Sequence, residues 1–235
     1  MKGVLITGTD TGVGKTLVGC GLAAVLSAQG KMVGVMKPCE TGCVVREGDL
    51  YPDDAARLAA FARTTLALDR VCPYRFAPPV APSVAAAMSG TAIEPERLVT
   101  VYHAIAAQSD FVIVEGAGGL LVPLVGRYTF ADLAQDLGLP LLVVVGSKLG
   151  ALNHTMLTLR YAQMQAIPLV GYIVNHPARG ADDATQTNVQ TLAQLTDIPC
   201  LGVLPFTPLT GHIEHDRRIL QDLFVKKIDF ATLLH

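Results

Sequence analysis

The stretch GTDTGVGKT, residues 8–16, follows the apolar run Val4-Leu5-Ile6 and ends in Gly14-Lys15-Thr16. A Gly-rich turn from strand to helix aims backbone N–H groups at phosphate oxygens. A lysine there neutralises the β and γ phosphates, and a threonine hydroxyl serves Mg²⁺. The strict phosphate-loop pattern would put Gly at position 9, where this chain has Thr9 with Gly8 one place early. The G-x-G-x-x-G spacing of a dinucleotide site is absent, so phosphoryl chemistry is the expectation.

Glu115 ends the apolar run Phe111-Val112-Ile113-Val114 and precedes Gly116-Ala117-Gly118-Gly119. That is the place of a strand-end acid that holds Mg²⁺, next to backbone that can approach a ligand closely. Asp53-Asp54 open a helical stretch, where acids are also ordinary helix-start residues. Mg²⁺ takes few protein carboxylates, so one of this pair with Thr16 and Glu115 suffices as a metal set. Two further lysines end apolar runs, Lys37 in Met36-Lys37-Pro38 and Lys148 in Gly146-Ser147-Lys148-Leu149-Gly150. With Lys15 they make three cations beside one triphosphate, which points to an acceptor that is itself anionic. No H-R-D, G-x-S-x-G or spaced Cys/His pair supplies a catalytic base. Transfer to an already ionised oxygen needs none, because positioning and electrostatics carry it.

The elements that must position these groups are legible as short apolar, β-branched runs alternating with helix-period segments. Strands are expected at Val4–Thr7, Met32–Lys37, Phe111–Glu115, Leu141–Gly146, Val170–Asn175 and Leu201–Leu204. Helices are expected over Gly14–Ala28, from Glu94-Pro95 to about Gln108, over Ala151–Gln165 and over Ala184–Leu195. This is the pattern of an α/β fold with a mainly parallel central sheet covered by helices on both faces, in one domain over 1–235. Ligands of such sheets lie beyond the carboxyl ends of the strands, where the groups above fall.

Composition narrows the classes. The 235 residues carry 18 basic and 20 acidic side chains, a formal net charge of -2, and no block of like charge. That excludes a basic nucleic-acid surface. Apolar runs such as Leu139 to Val145 are of strand length, far below the roughly 18–20 residues that span a membrane. The N-terminus MKGVLITG passes directly into a strand, and a cytoplasmic location is expected. The five cysteines, Cys20, Cys39, Cys43, Cys72 and Cys200, form no C-x-x-C pair and are expected as reduced thiols.

Six blocks taken together carry a resemblance. GTDTGVGKT; Met36-Lys37-Pro38-Cys39-Glu40-Thr41-Gly42; Pro73-Tyr74-Arg75-Phe76 with Pro79 and Ala81-Pro82; Val114 to Gly119; Ser147 to His154; and Val174-Asn175 resemble dethiobiotin synthetase in order, over residues 4 to about 206. The resemblance implies a P-loop NTPase-like fold and ATP-dependent ring closure in biotin synthesis. CO₂ adds to an amine of 7,8-diaminopelargonate, MgATP phosphorylates the carbamate, and the neighbouring amine closes the ureido ring. It also implies a homodimer with the substrate across the subunit interface.

By the same resemblance, Gly12, Val13, Gly14, Lys15, Thr16 and Leu17 wrap the triphosphate, and Thr16, Asp54 and Glu115 hold Mg²⁺. Gly116, Ala117 and Gly118 line the nucleotide, while Asn175, His176 and Pro205 meet its base. Lys37, Lys15 and Lys148 are implied as catalytic cations. Thr11, Lys37, Thr41 and Gly118 are implied to face the substrate, whose carboxylate Gly150 and Asn153 receive from the partner subunit. On sequence alone Asn153 also reads as a helix N-cap.

The chain departs from the family at Gly12, where some members carry an acid. It departs again after Pro205, where Glu214 is the candidate for a ribose-contacting carboxylate, and the segment from Gly211 to His235 matches nothing in the pattern. The alternative reading is a regulatory P-loop ATPase of the partition or septum-site type. Such proteins place a signature lysine near the start of the loop, where this chain has Asp10. Cobyrinic acid diamide synthases, a further relative, carry a glutaminase domain for which this chain has no room.

Overall fold

A computed structural model describes residues 2–180 and 183–234. Met1, Ala181, Asp182 and His235 of the expected domain lie outside the described residues. The chain opens with β1 (Gly3–Gly8), helix α1 (Lys15–Ala28) and β2 (Val33–Met36). Short strands β3 (Cys39–Thr41), β4 (Val44–Arg46) and β5 (Asp49–Tyr51) lead to α2 (Asp53–Ala62), α3 (Leu68–Val71), β6 (Tyr74–Phe76), α4 (Pro82–Met88) and α5 (Pro95–Ala106). Then come β7 (Phe111–Gly119), β8 (Pro123–Val125), β9 (Tyr128–Thr129), α6 (Phe130–Asp136), β10 (Leu141–Gly146) and α7 (Ala151–Met164). The last elements are β11 (Leu169–Asn175), α8 (Asp183–Leu195), β12 (Cys200–Leu204), α9 (Ile213–Lys227) and α10 (Phe230–Leu234).

Six strands form one parallel sheet in the order β12-β11-β10-β1-β7-β2. Strands buried on both faces read as continuous apolar runs, which is why all six were visible in the sequence. Alternate residues feed two cores: Val4, Ile6, Val35 and Ile113 pack with α1, α2 and α9, whereas Leu5, Met36, Val112 and Val114 pack with α5 and α6. A third cluster joins Val143, Val145 and Tyr172 to α7 and α8. The expected parallel sheet with helices on both faces is therefore present.

The differences are local. β7 runs beyond Glu115 to Gly119 because Gly8 and Gly119 are register partners, keeping the glycine stretch against β1. β2 stops at Met36, and Lys37 leaves the sheet with its N–H donating to the Val71 carbonyl at 2.7 Å. The unmatched tail forms α9, with Arg217, Leu220 and Phe224 buried at helical spacing. Phe224 sits where a Cβ on Gly21 would collide with its ring. Burial of Leu220 and Phe224 stabilises this docking by about 1.5–3 kcal/mol each.

Candidate active site

The loop after β1 is tied down from several sides. Thr9 N–H donates to the Val144 carbonyl at 3.0 Å, and Asn175 Nδ2 donates to the Val13 carbonyl at 2.8 Å. Gly14 caps α1 at φ 102°, the left-handed region, and a Cβ there would collide with Asn175 Nδ2. Lys15 is buried with its ammonium donating to the Asp10 carbonyl at 3.1 Å, and desolvation lowers its pKa to about 8. Asp10 Oδ1 accepts from Thr11 N–H at 2.8 Å and Oδ2 from Lys148 Nζ at 2.9 Å.

Beside the loop, four side chains converge, from α1, α2, β7 and the residue directly after β2. Glu115 on β7 is fully buried, and its Oε1 accepts from Thr16 Oγ1 at 2.7 Å and from Lys37 Nζ at 2.7 Å. Lys37 Nζ also donates to Asp54 Oδ2 at 3.2 Å. Burial alone would depress the Lys37 pKa, but the Glu115 and Asp54 carboxylates hold it well above the ordinary lysine value. Burial likewise pushes Asp54 up, and the Lys37 ammonium overrides this to keep it below the ordinary carboxylate value.

Glu115 Oε2 is buried with no hydrogen-bond partner. An orphaned carboxylate oxygen beside a threonine hydroxyl and a second carboxylate is the donor set of a hard cation. Among the described residues no three His, Cys, Asp or Glu gather as a metal cage. Mg²⁺ takes few protein carboxylates and keeps water and phosphate oxygens in its shell.

These groups open into a cleft of about 630 Å³, lined also by Pro79, Val80, Ala81, Pro82 and Val122. A family model described as an AAA domain matches residues 2–213. ATP-dependent dethiobiotin synthetase BioD of Anaeromyxobacter dehalogenans is 41% identical over 230 residues, covering 98% of this chain and 100% of the relative. The BioD of Bacillus subtilis is 37% identical over 206 residues, covering 87% of each. The chain belongs to the dethiobiotin synthetase family.

Solved structures of MinD in complex with MinC from Aquifex aeolicus and of a ParA family ATPase from Chlorobium tepidum superpose with TM-scores of 0.56. They cover 93% and 96% of this chain, and the chain covers 86% and 92% of theirs. At 14% and 15% identity they show a shared fold alone.

Of the residues implied by membership of the dethiobiotin synthetase family, Thr11, Gly12, Gly14, Lys15, Thr16, Lys37, Thr41, Asp54, Glu115, Ala117 and Gly118 line the cleft. Val13 is buried beneath the loop, Leu17 packs against the core, and Gly116 is buried within β7. Lys148 stands outside the cleft lining, half-exposed and ion-paired to Asp10. Asn175 is buried under the loop, His176 N–H donates to the Leu204 carbonyl, and Pro205 is exposed.

Gly150 and Asn153 are exposed and outside the cleft. Gly150, not Asn153, is the N-cap of α7, at φ 91°, so the N-cap reading of Asn153 is corrected: it lies on the first turn. Glu214, the candidate for a ribose contact, accepts from Arg63 at 2.7 Å, at the far end of α2 from Asp54. Asp53 faces out to Arg46 at 2.6 Å while Asp54 faces in, which separates two acids that spacing alone could not.

Sequence reasoning gave no role to Glu40, which is buried and lines the cleft. The five cysteines are all free, as expected. Burial pushes Cys39 and Cys43 up to about 12 and about 11, which disfavours the reactive thiolate.

Proposed function

We propose that this cleft performs the ATP-dependent dethiobiotin synthetase reaction on 7,8-diaminopelargonate and CO₂. The observation that carries it is the chemistry of the lining. Lys15 and Lys37 face the cleft with Thr11, Thr16 and Thr41, and among its described lining residues there is no His or Cys. Such a site favours an acceptor already ionised, and a carbamate is one.

On this reading Gly12, Gly14 and Lys15 hold the triphosphate of ATP, and Thr16, Asp54 and Glu115 hold Mg²⁺. Mg²⁺ held there would screen the phosphate charge. Lys37, in the lining of the cleft, stabilises the charge passing from the carbamate oxygen to the γ phosphate. The carbamate oxygen displaces ADP, the second amine attacks the carbonyl carbon of the mixed anhydride, and phosphate leaves as the ureido ring closes. Thr11, Thr41 and Gly118 orient the acceptor. Lys148 holds the front of the loop through Asp10, while Asn175, His176 and Pro205 border the nucleotide base.

The second half of the substrate site comes from a second copy. Gly150 and Asn153 are exposed at the start of α7, the position from which a partner subunit receives the substrate carboxylate. Leu121 and Leu157 are 52% and 63% exposed and share one apolar groove with Tyr161, a surface that a homodimer would cover. The chain 1–235 acts as one unit and works in the cytoplasm. Among the described residues no helix is long and apolar enough to cross a membrane.

Supplying ¹³C-bicarbonate with MgATP and 7,8-diaminopelargonate tests the reading. The label is expected in the ureido carbon of dethiobiotin, and product without label would contradict it.

A further inference from the structure

Helix α2 begins at Asp53 behind Pro52, which offers no side-chain cap. The first-turn N–H groups of a helix have no intrahelical acceptor and need one from elsewhere. Here it comes from another strand: Glu40 Oε1 accepts from Asp54 N–H at 3.0 Å and Glu40 Oε2 from Ala55 N–H at 3.0 Å. Both carboxylate oxygens are thus engaged with the helix, although Glu40 itself is only 7% exposed and lines the cleft. A negative group at this end also complements the helix dipole. Asp54, whose own N–H is one of the two held, turns its side chain to Lys37 beside Glu115.

We infer that Glu40 is the positioning residue for the metal-side carboxylate Asp54, fixing the start of α2 so that Oδ2 faces the Thr16–Glu115 pair. The inference rests on the Mg²⁺-nucleotide reading of the cleft. Lys37, directly after β2, and Glu40, on β3, lie three positions apart on one continuous segment. The segment that places the acceptor-side cation therefore also places the metal-side aspartate, and the two halves of the site keep their spacing. Glu40 acts through Asp54 and does not touch the reacting atoms.

The test is Mn²⁺ binding to the full chain at saturating ATP, followed by electron paramagnetic resonance, with melting curves to establish folding. Outer partners of metal ligands typically govern affinity by 10–100-fold. Glu40→Ala is expected to weaken Mn²⁺ binding by about 10-fold or more. Glu40→Gln, which keeps one acceptor oxygen, should weaken it less. In an Asp54→Asn background, Glu40→Gln should add nothing.

Folded Glu40→Ala and Glu40→Gln proteins that bind Mn²⁺ as the parent does, even with a lowered melting temperature, would overturn the inference. So would an undiminished effect of Glu40→Gln in the Asp54→Asn background. Should the parent protein itself bind no Mn²⁺ with ATP, the metal reading fails first, and Glu40 loses its role with it.

Discussion

Lys37 Nζ and Glu115 Oε1 lie 2.7 Å apart, beyond Met36 of β2 and Val114 of β7, which are register partners in the sheet. The parallel register thus delivers a cation and an anion side by side at the carboxyl edge, both buried. Removing one partner of such a pair leaves an uncompensated buried charge, and the pair's persistence requires the second carboxylate, Asp54, and the Thr16 hydroxyl to satisfy it.

Lys37→Ala is expected to lower dethiobiotin formation by about 10²–10³-fold, the usual consequence of deleting a preorganised charge-stabilising donor. ATP binding should persist, because Lys15 and the loop are intact. Comparing turnover with calorimetric ATP binding checks the assignment; near-parental turnover would remove Lys37 from the acceptor side.

Gly14→Ala should abolish measurable ATP binding. Its φ of 102° costs an L residue about 1–2 kcal/mol, and its Cβ would meet Asn175 Cγ at 3.1 Å. Gly12→Ala, with nothing within 4 Å of its Cβ, should weaken binding less and leave the melting temperature nearer the parent.

Asp216 staples the segment after β12 to α9, its carboxylate accepting from Thr210 N–H and Oγ1 at 2.8 Å and from Gly211 N–H at 2.9 Å. Burial pushes its pKa up, but these hydrogen bonds outweigh that and hold it below the ordinary 3.8. A depressed folded pKa makes its stabilisation complete above pH 3.8 and lost as pH falls through the lower folded value. Asp216→Ala should cost about 1–3 kcal/mol at neutral pH. The penalty should shrink toward zero in strong acid, as pH-dependent urea melts would reveal.

On the proposed homodimer reading, Leu157→Asp should leave monomers in light scattering and take activity with it. The subunit-sharing claim has a sharper check. Lys37→Ala and Asn153→Ala proteins, each impaired alone, should regain activity when mixed and allowed to exchange subunits, because one composite site per dimer is then whole.

The strand ends were legible because a parallel sheet makes its strands apolar throughout and its ligand groups terminal, so Lys15, Lys37 and Glu115 announced themselves. Residue spacing alone could not separate Asp54 from Asp53, since both occupy a helix start and only one turns to Lys37. Glu40 was hidden for a related reason: its partners are backbone N–H groups 14 and 15 residues away, which no local pattern encodes. The tail carried a signal that family resemblance passed over. Arg217, Leu220 and Phe224 recur at helical spacing, and the small Gly21 on α1 makes room for the last of them.

In the proposed reaction ATP cleavage is coupled to ring closure. The most direct measurement is phosphate release by the purified protein with MgATP, 7,8-diaminopelargonate and bicarbonate together and then with each of the last two omitted, alongside dethiobiotin by mass. Release that needs both and matches product one to one is the predicted result. Release that continues without them would contradict the account and favour a nucleotide-switched ATPase.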